Sequence, residues 1–428
     1  MRPGADGQRL AVFMSKVGRV RVAFLLCAIM TVCFSCCDGF EKTFEHKGII
    51  PKERDTMFKL DSVEYPVQFA NAQKNSRIGL SAGVKGILRW SKEYREAEED
   101  ITPAPWIVLV RGDTIGVVSP DNLLIYATDG SYKYMLPIGQ NTPVVFGSGA
   151  FAYLGHSYLL NYQDYSKKVI LEGGEFPSME KWSYVMVFKP GMRDFLAAVQ
   201  FTGGPRPSGK PPYFDVYRKE IEKSRVRADY YGEGTIKHAM LTNDGGRFVL
   251  IQGLRVNMVE TVNMKVESHF DHGYTDVQSA SLDPAGNLVF IGRGAKNRGD
   301  RPYLSTFTLA GRLLWECQIQ DPQVQQPPAC GGSGQVYVID AGSLKSISNG
   351  RVAWSHPIKG RDKAWITVTK DDAAIVVQAG WLTVYDATGT VKFSVQASKD
   401  GEYFDAPPVV DAKGRIYMAG NKKLYCFE

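Results

Sequence analysis

A few stretches of this 428-residue chain carry residue types and spacings that chemistry can use. His269-Phe-Asp-His272 sets two imidazoles and a carboxylate within four residues, the raw material of a metal site read as a loop. No third strong ligand lies close by in sequence, and histidines standing at the surface between strands fit equally well. Gly204-Pro-Arg-Pro-Ser-Gly-Lys210 approaches a phosphate-binding loop. It fails where it matters: Pro211 stands where a magnesium-binding hydroxyl belongs, and Pro205 and Pro207 remove N–H donors that phosphates need. Arg298-Gly-Asp300 is an adhesion tripeptide that also recurs by chance in turns. The chain has no Cys-x-x-Cys-His for covalent haem and no Gly-x-Ser-x-Gly nucleophile elbow. Trp106, Trp182, Trp365 and Trp381 can serve as stacking platforms if their faces are open. No catalytic, cofactor-binding or metal-ligating residue is assigned.

Charge excludes one class of partner. The formal balance is +6, but residues 1–36 carry Arg2, Arg9, Lys16, Arg19 and Arg21 against Asp6, so without them it falls to +2. A nearly neutral surface is not that of an electrostatically driven nucleic-acid binder. The basic start precedes an apolar run from Val22 to Phe34, then Ser35-Cys36-Cys37. A positive segment and a short apolar core closed by a small residue describe an export signal. The run is shorter than the roughly 18–20 residues of a spanning helix. Translation begins at Met1 or at Met14. Ser35-Cys36 resembles the lipobox of bacterial lipoproteins, although Cys33 replaces the usual aliphatic residue. Cys36 is therefore the candidate lipid attachment point, with Cys37 beside it; plain cleavage or an uncleaved anchor stays open. An acyl chain is the only membrane contact expected.

The elements that must position any site read as strands. Polar, mostly glycine-bearing turns precede apolar β-branched or aromatic runs, as in Asp283-Pro-Ala-Gly286 before Asn287–Ile291 and Asp411-Ala-Lys-Gly414 before Arg415–Met418. Such turns supply the positive φ angles of tight hairpins. A second mark is a glycine four residues before an aromatic: Gly86 and Trp90, Gly130 and Tyr134, Gly311 and Trp315, Gly350 and Trp354, Gly389 and Phe393. The rings read as packing groups at the boundary between neighbouring sheets rather than as ligand contacts. The units recur eight times at the period of propeller blades, without helical periodicity between them. A pair of β-sandwiches has similar strand content but does not require the aromatic mark. The last unit, Tyr403 to Phe427, lacks its glycine–aromatic strand, and residues 84–92 supply one; that pairing would leave no open edge between first and last units.

Pro407–Phe427 and Leu382–Phe393 resemble repeats of the pyrroloquinoline-quinone (PQQ)-like propellers, the quinoprotein-alcohol-dehydrogenase-like superfamily. The likeness is carried by 275–428, extends over 84–160 and is faint over 175–270. It implies an all-β fold, an eight-bladed β-propeller of four-stranded antiparallel blades. The expected organisation is a signal peptide at 1–36, a tether and lead-in at 37–81, and the propeller at 82–428. The insertion 203–213 is expected as a surface loop, and the mixed-charge run Tyr217–Arg227 as a solvated outer strand. Cys317, Cys330 and Cys426 are too few and too scattered for a disulfide framework.

Some relatives of this fold bind PQQ through an adjacent cysteine pair, calcium and a catalytic aspartate. Here the only adjacent cysteines lie in the leader, so no cofactor is expected and a PQQ-dependent oxidoreductase is the alternative. The plan is similar to that of the propeller lipoprotein of the outer-membrane β-barrel assembly machinery. The resemblance implies a non-enzymatic, monomeric protein-binding or scaffolding module, exported to the periplasm or anchored as a lipoprotein of a bacterial envelope, with an envelope protein as partner. A sensor of carbohydrates or small ligands is the third reading.

Overall fold

The computed structural model describes 76–94 and 107–137 with short breaks, separate strands between 144 and 231, and 236–428 with short breaks; side chains are described mainly in 76–94, 113–135 and 237–428. The leader, Cys36 and Cys37, the tether before 76, Trp106, Trp182 and the phosphate-loop-like insertion lie outside the described residues. Every described regular element is a strand, and no described helix is long and apolar enough to cross a membrane.

The described strands form eight antiparallel sheets. We letter them A (107–137), B (144–169), C (195–231), D (236–271), E (274–318), F (329–357), G (364–396) and H (409–427). Sheet C has three strands and each of the others four. The fourth strand of H comes from the other end of the sequence, Leu88–Glu93 pairing antiparallel with Lys423–Phe427. Within sheets A to G the strands follow chain order, and the backbone approaches between neighbouring sheets run mostly between first strands. This is the strand pattern of a β-propeller. One expectation is corrected: Tyr213–Glu220 is the middle strand of sheet C, paired on both sides by Phe195–Phe201 and Val226–Tyr231, so the run beginning at Tyr217 is not an outer strand.

Turn chemistry explains the hairpins. Asp283 Oδ1 accepts the Asn287 N–H at 2.7 Å while Gly286 N–H donates to the Asp283 carbonyl at 2.9 Å. Asp411 Oδ1 takes the N–H groups of Lys413 and Arg415, each at 2.9 Å, and Asp386 those of Thr388 and Thr390. Thr242 and Thr369 do the same with a hydroxyl, toward Arg247 and Ala373. A side-chain acceptor closing on the backbone two to five residues ahead fixes the turn and with it the register of the strands that follow.

The apolar cores lie between successive sheets. One cluster joins D to E around Phe290, another E to F, another F to G. The largest joins G, H and A with Ile78. Sheet H is thus packed on both faces.

The lead-in is stitched to this body before its outer strand begins. Arg77 makes a parallel bridge with Val368, through Ile78 N–H to the Val368 carbonyl and Val368 N–H to the Ser76 carbonyl, both at 2.9 Å. Because Ala364–Val368 ends its sheet, these residues occupy its free edge.

Candidate functional site

The repeated aromatic does not rest on the glycine of its own turn. A Cβ built on Gly130 of sheet A would fall 2.9 Å from the Trp90 ring of sheet H, and one on Gly86 2.8 Å from Phe393 of sheet G. On Gly389 of sheet G it would fall 2.7 Å from Trp354 of sheet F, and on Gly350 3.5 Å from the Trp315 Cβ of sheet E. The rings of Trp90, Phe393 and Trp354 lie on the next sheet's glycine, closer than carbon atoms normally approach, while Trp315 reaches Gly350 only through its Cβ at an ordinary distance. Gly389 also has φ +87°, a conformation L side chains rarely adopt. Trp354 adds a hydrogen bond, Nε1–H to the Ala387 carbonyl at 3.1 Å. Phe270 of sheet D takes the same place on Gly311, its ring Cγ 2.8 Å from the built Cβ. The glycine spacing misses it because Val266 stands four residues before it; the available signal was an aromatic near the end of an outer strand. Tyr134 pairs by backbone with Ile125 in the last strand of sheet A, and its side chain lies outside the described residues.

Buried charge marks the junction of H and A. Arg415 Nε donates to Asp411 Oδ2 at 2.6 Å, its Nη2 joins the same carboxylate, and Nη1 reaches the Thr128 carbonyl of sheet A at 3.3 Å. Tyr417 O–H donates to the same Asp411 oxygen at 2.9 Å, and the guanidinium lies 5.7 Å from the Tyr417 ring centre. Burial, then the neighbouring Cys426 and Asp411, drive the Tyr417 pKa upward, and burial pushes Cys426 up to about 11. Tyr417 therefore stays a neutral donor. The group completes its own hydrogen bonding and ties two sheets.

At the junction of F and G the same positions carry uncharged partners. Tyr337 O–H lies within hydrogen-bonding distance of the Gln335 side chain and of the Asp372 carbonyl of sheet G. Gln335 Nε2 donates to the Ala387 carbonyl at 3.1 Å. The Asp372 carboxylate receives N–H groups from Gly332 at 2.5 Å and Ser333 at 2.8 Å. Buried Gln326 spans the gap to the lead-in, donating to Ser76 Oγ at 2.8 Å while its carbonyl accepts the Ile366 N–H. These polar side chains link elements rather than converge on open space.

The chemistry-bearing residues of the sequence are placed differently from a working site. His269 lies on the strand Val266–Asp271, not in a loop, and is exposed. His272 is buried; its Nδ1 accepts the Tyr274 N–H at 3.1 Å and its Nε2 meets the Gly253 carbonyl at 3.0 Å. Both ring nitrogens are engaged, which fixes the neutral Nε2–H tautomer, and burial lowers the His272 pKa. Gly299 and Asp300 sit in a turn, with Arg298 outside the described residues. Trp365 is 7 % exposed and offers no stacking face, while Trp381 is half-buried.

Cys317, Cys330 and Cys426 are free thiols on three separate strands, the last two buried. None of the three is adjacent to another in sequence.

The outer strands show where polar side chains are turned to solvent. In the last strand of sheet H the register skips Arg89, a β-bulge that re-aims one residue. The same skip occurs at Lys133 in A, Glu267 in D, Leu314 in E, Ala353 in F and Lys392 in G. Four of these bulge residues are in ion pairs: Arg89 with Glu428 at 2.5 Å, Lys133 with Asp113 at 3.9 Å, Lys392 with Asp371 at 3.7 Å, and Glu267 with Arg247.

No protein-family model matches the chain, and no curated protein matches it in sequence. Among solved structures it is similar to BamB from Moraxella catarrhalis, with 10 % identity and a TM-score of 0.47, the match covering 80 % of this chain and 99 % of that one.

Proposed function

We propose that this chain is an exported, monomeric, eight-bladed β-propeller closed by its own N-terminal strand, acting as a non-enzymatic protein-binding or scaffolding module of a bacterial envelope. One observation carries the reading. Large apolar side chains stand in solvent on the outer strands of successive sheets, at Leu88, Val266, Leu313, Leu314, Val352 and Val391. Those strands end their sheets, so unpaired backbone groups accompany the apolar side chains, a combination suited to meeting another polypeptide. The buried charged and amide groups at the H–A and F–G junctions, by contrast, are engaged in linking elements. The near-neutral charge beyond residue 36 fits a protein partner better than a nucleic acid.

The test is affinity capture from envelope extracts with the chain beginning at Asp38, followed by identification and reconstitution of the recovered protein. A stoichiometric complex with a purified envelope protein is expected. Turnover of a small substrate in the absence of any such complex would overturn the proposal. Export and anchoring are tested by labelling cells with a fatty-acid analogue: label is expected on the wild type and lost in Cys36→Ala, and unlabelled wild type removes the lipid anchor.

A further inference from the structure

The rim is not uniform. In sheets A, D, G and H the bulge turns out a charged residue already neutralised by an ion pair. In E and F, which are neighbours, it turns out Leu314 and Ala353. Leu314 is 41 % exposed, and beside the two bulges Leu313 is 42 % and Val352 48 % exposed. The two strands meet: a Cβ on Gly350, where Arg351–Pro357 begins, would lie 2.9 Å from the Glu316 carbonyl in Leu313–Gln318. The exposed residues therefore stand on the outer strands of two adjoining sheets. Between Val352 and Pro357 the strand carries no Asp, Glu, Lys or Arg, and His356 is held by the Gly389 carbonyl at 2.7 Å. Charged residues are the usual protection of an open strand edge, and this edge lacks them.

Two cations stand at the start of these strands. Arg312 and Arg351 each follow the turn glycine, both are exposed, and neither makes an ion pair among the described residues. The equivalent positions in sheets H, A and G are Ile87, Ser131 and Thr390. Guanidiniums without an ion pair among the described residues, standing at the start of two neighbouring apolar strands, complement carboxylates in the segment that covers them.

We propose that the E–F rim receives an extended acidic and apolar segment of a protein partner, which adds to the open edge of Arg351–Pro357, lays apolar side chains over Leu313, Leu314 and Val352, and places carboxylates at Arg312 and Arg351. The proposal rests on the protein-binding reading above and names its surface.

The probe is a fluorescein-labelled peptide of alternating valine and threonine with glutamate at both ends, titrated into the chain beginning at Asp38 and followed by anisotropy. A lysine-ended peptide and one N-methylated at alternate residues serve as comparisons. Saturable binding of the acidic peptide alone is expected, weakened about tenfold or more in R312A/R351A and in L314K/A353K, which copies the charged bulges of neighbouring sheets. Circular dichroism checks that both variants fold. No saturable binding, equal binding of all three peptides, or a wild-type dimer dissolved by L314K/A353K would overturn the proposal, the last assigning the rim to a second copy. An envelope partner captured equally by wild type and L314K/A353K would keep the protein-binding function and remove this rim as its place.

Discussion

Gly389→Ala is the sharpest probe of how the sheets are held in register. The added Cβ would lie 2.7 Å from Trp354 Cγ and Cδ2, where carbon atoms normally stand about 3.5–4.0 Å apart, so the ring must retreat by roughly 1 Å. Retreat loosens the Nε1–H bond to the Ala387 carbonyl, worth about 0.5–1.5 kcal/mol, and strains packing by about 1–3 kcal/mol. The φ of +87° adds about 1–2 kcal/mol for any residue with a Cβ. Together these predict a loss of about 3–6 kcal/mol. Gly286→Ala is the matched control, because Gly286 has φ +83° but nothing within 4 Å of its built Cβ. It should cost only the backbone term, about 1–2 kcal/mol. Urea unfolding followed by tryptophan fluorescence gives both values, and measured against Trp354→Ala alone, Gly389→Ala should cost little beyond the backbone term. Equal losses for the two glycine variants would refute the claim that ring-on-glycine contacts join sheet to sheet.

Asp411→Ala strands the Arg415 cation, the Tyr417 hydroxyl and two turn N–H groups, and should cost about 3–5 kcal/mol by the same unfolding assay. Because burial holds the His272 pKa below its ordinary value, its share of stability is complete above about pH 6.5 and falls as pH drops toward the folded value, since the unfolded histidine takes its proton first. Stability curves at pH 5 and pH 7.5 should show that loss in the wild type and a smaller one in His272→Gln. With a thiol reagent at pH 8, the chain beginning at Asp38 should label first at half-buried Cys317; Cys330 and Cys426, buried and with raised pKa values, should label only on unfolding. Removing residues 1–94 should accelerate hydrogen exchange at 423–427, measured against the chain beginning at Asp38, because the outer partner of that strand is lost.

What could be read from the sequence was what is local. Turns such as 283–287 and 411–415 declare themselves by an acceptor and a glycine at fixed offsets, and the strands follow from their β-branched runs. Leu88–Glu93 was legible as a strand from its Gly86–Trp90 spacing, and it pairs with Lys423–Phe427. The contacts that join sheets were not legible. Trp90 reads as belonging to Gly86, whereas its ring lies on Gly130, and nothing in the spacing says that each ring belongs to the following glycine. Asp411 and Arg415 read as turn residues; their ion pair is buried only because Thr128 of sheet A closes over it. Ser76–Ile78 pairs with residues some 290 positions away over too few residues to leave a pattern. The charge of Tyr217–Arg227 suggested solvent exposure, yet backbone pairing on both sides puts its first half in the middle of a sheet.

The N-terminal segment explains why a tether would not by itself orient such a molecule. It is bound twice, at the free edge of sheet G through Ser76–Ile78 and at the rim of sheet H through Leu88–Glu93, and Trp90 extends the link to sheet A. Force applied upstream of Ser76 therefore reaches two sheets through backbone hydrogen bonds and a third through the packed Trp90 ring. Were Cys36 acylated, the chain from there to Ser76 could span at most about 140 Å fully extended. A leash of that reach raises the local concentration near a membrane without choosing which part of the rim faces a partner. Selection must then come from the rim itself, where the E–F sector joins exposed apolar side chains, which neighbouring sheets also carry, to Arg312 and Arg351, which make no ion pair among the described residues.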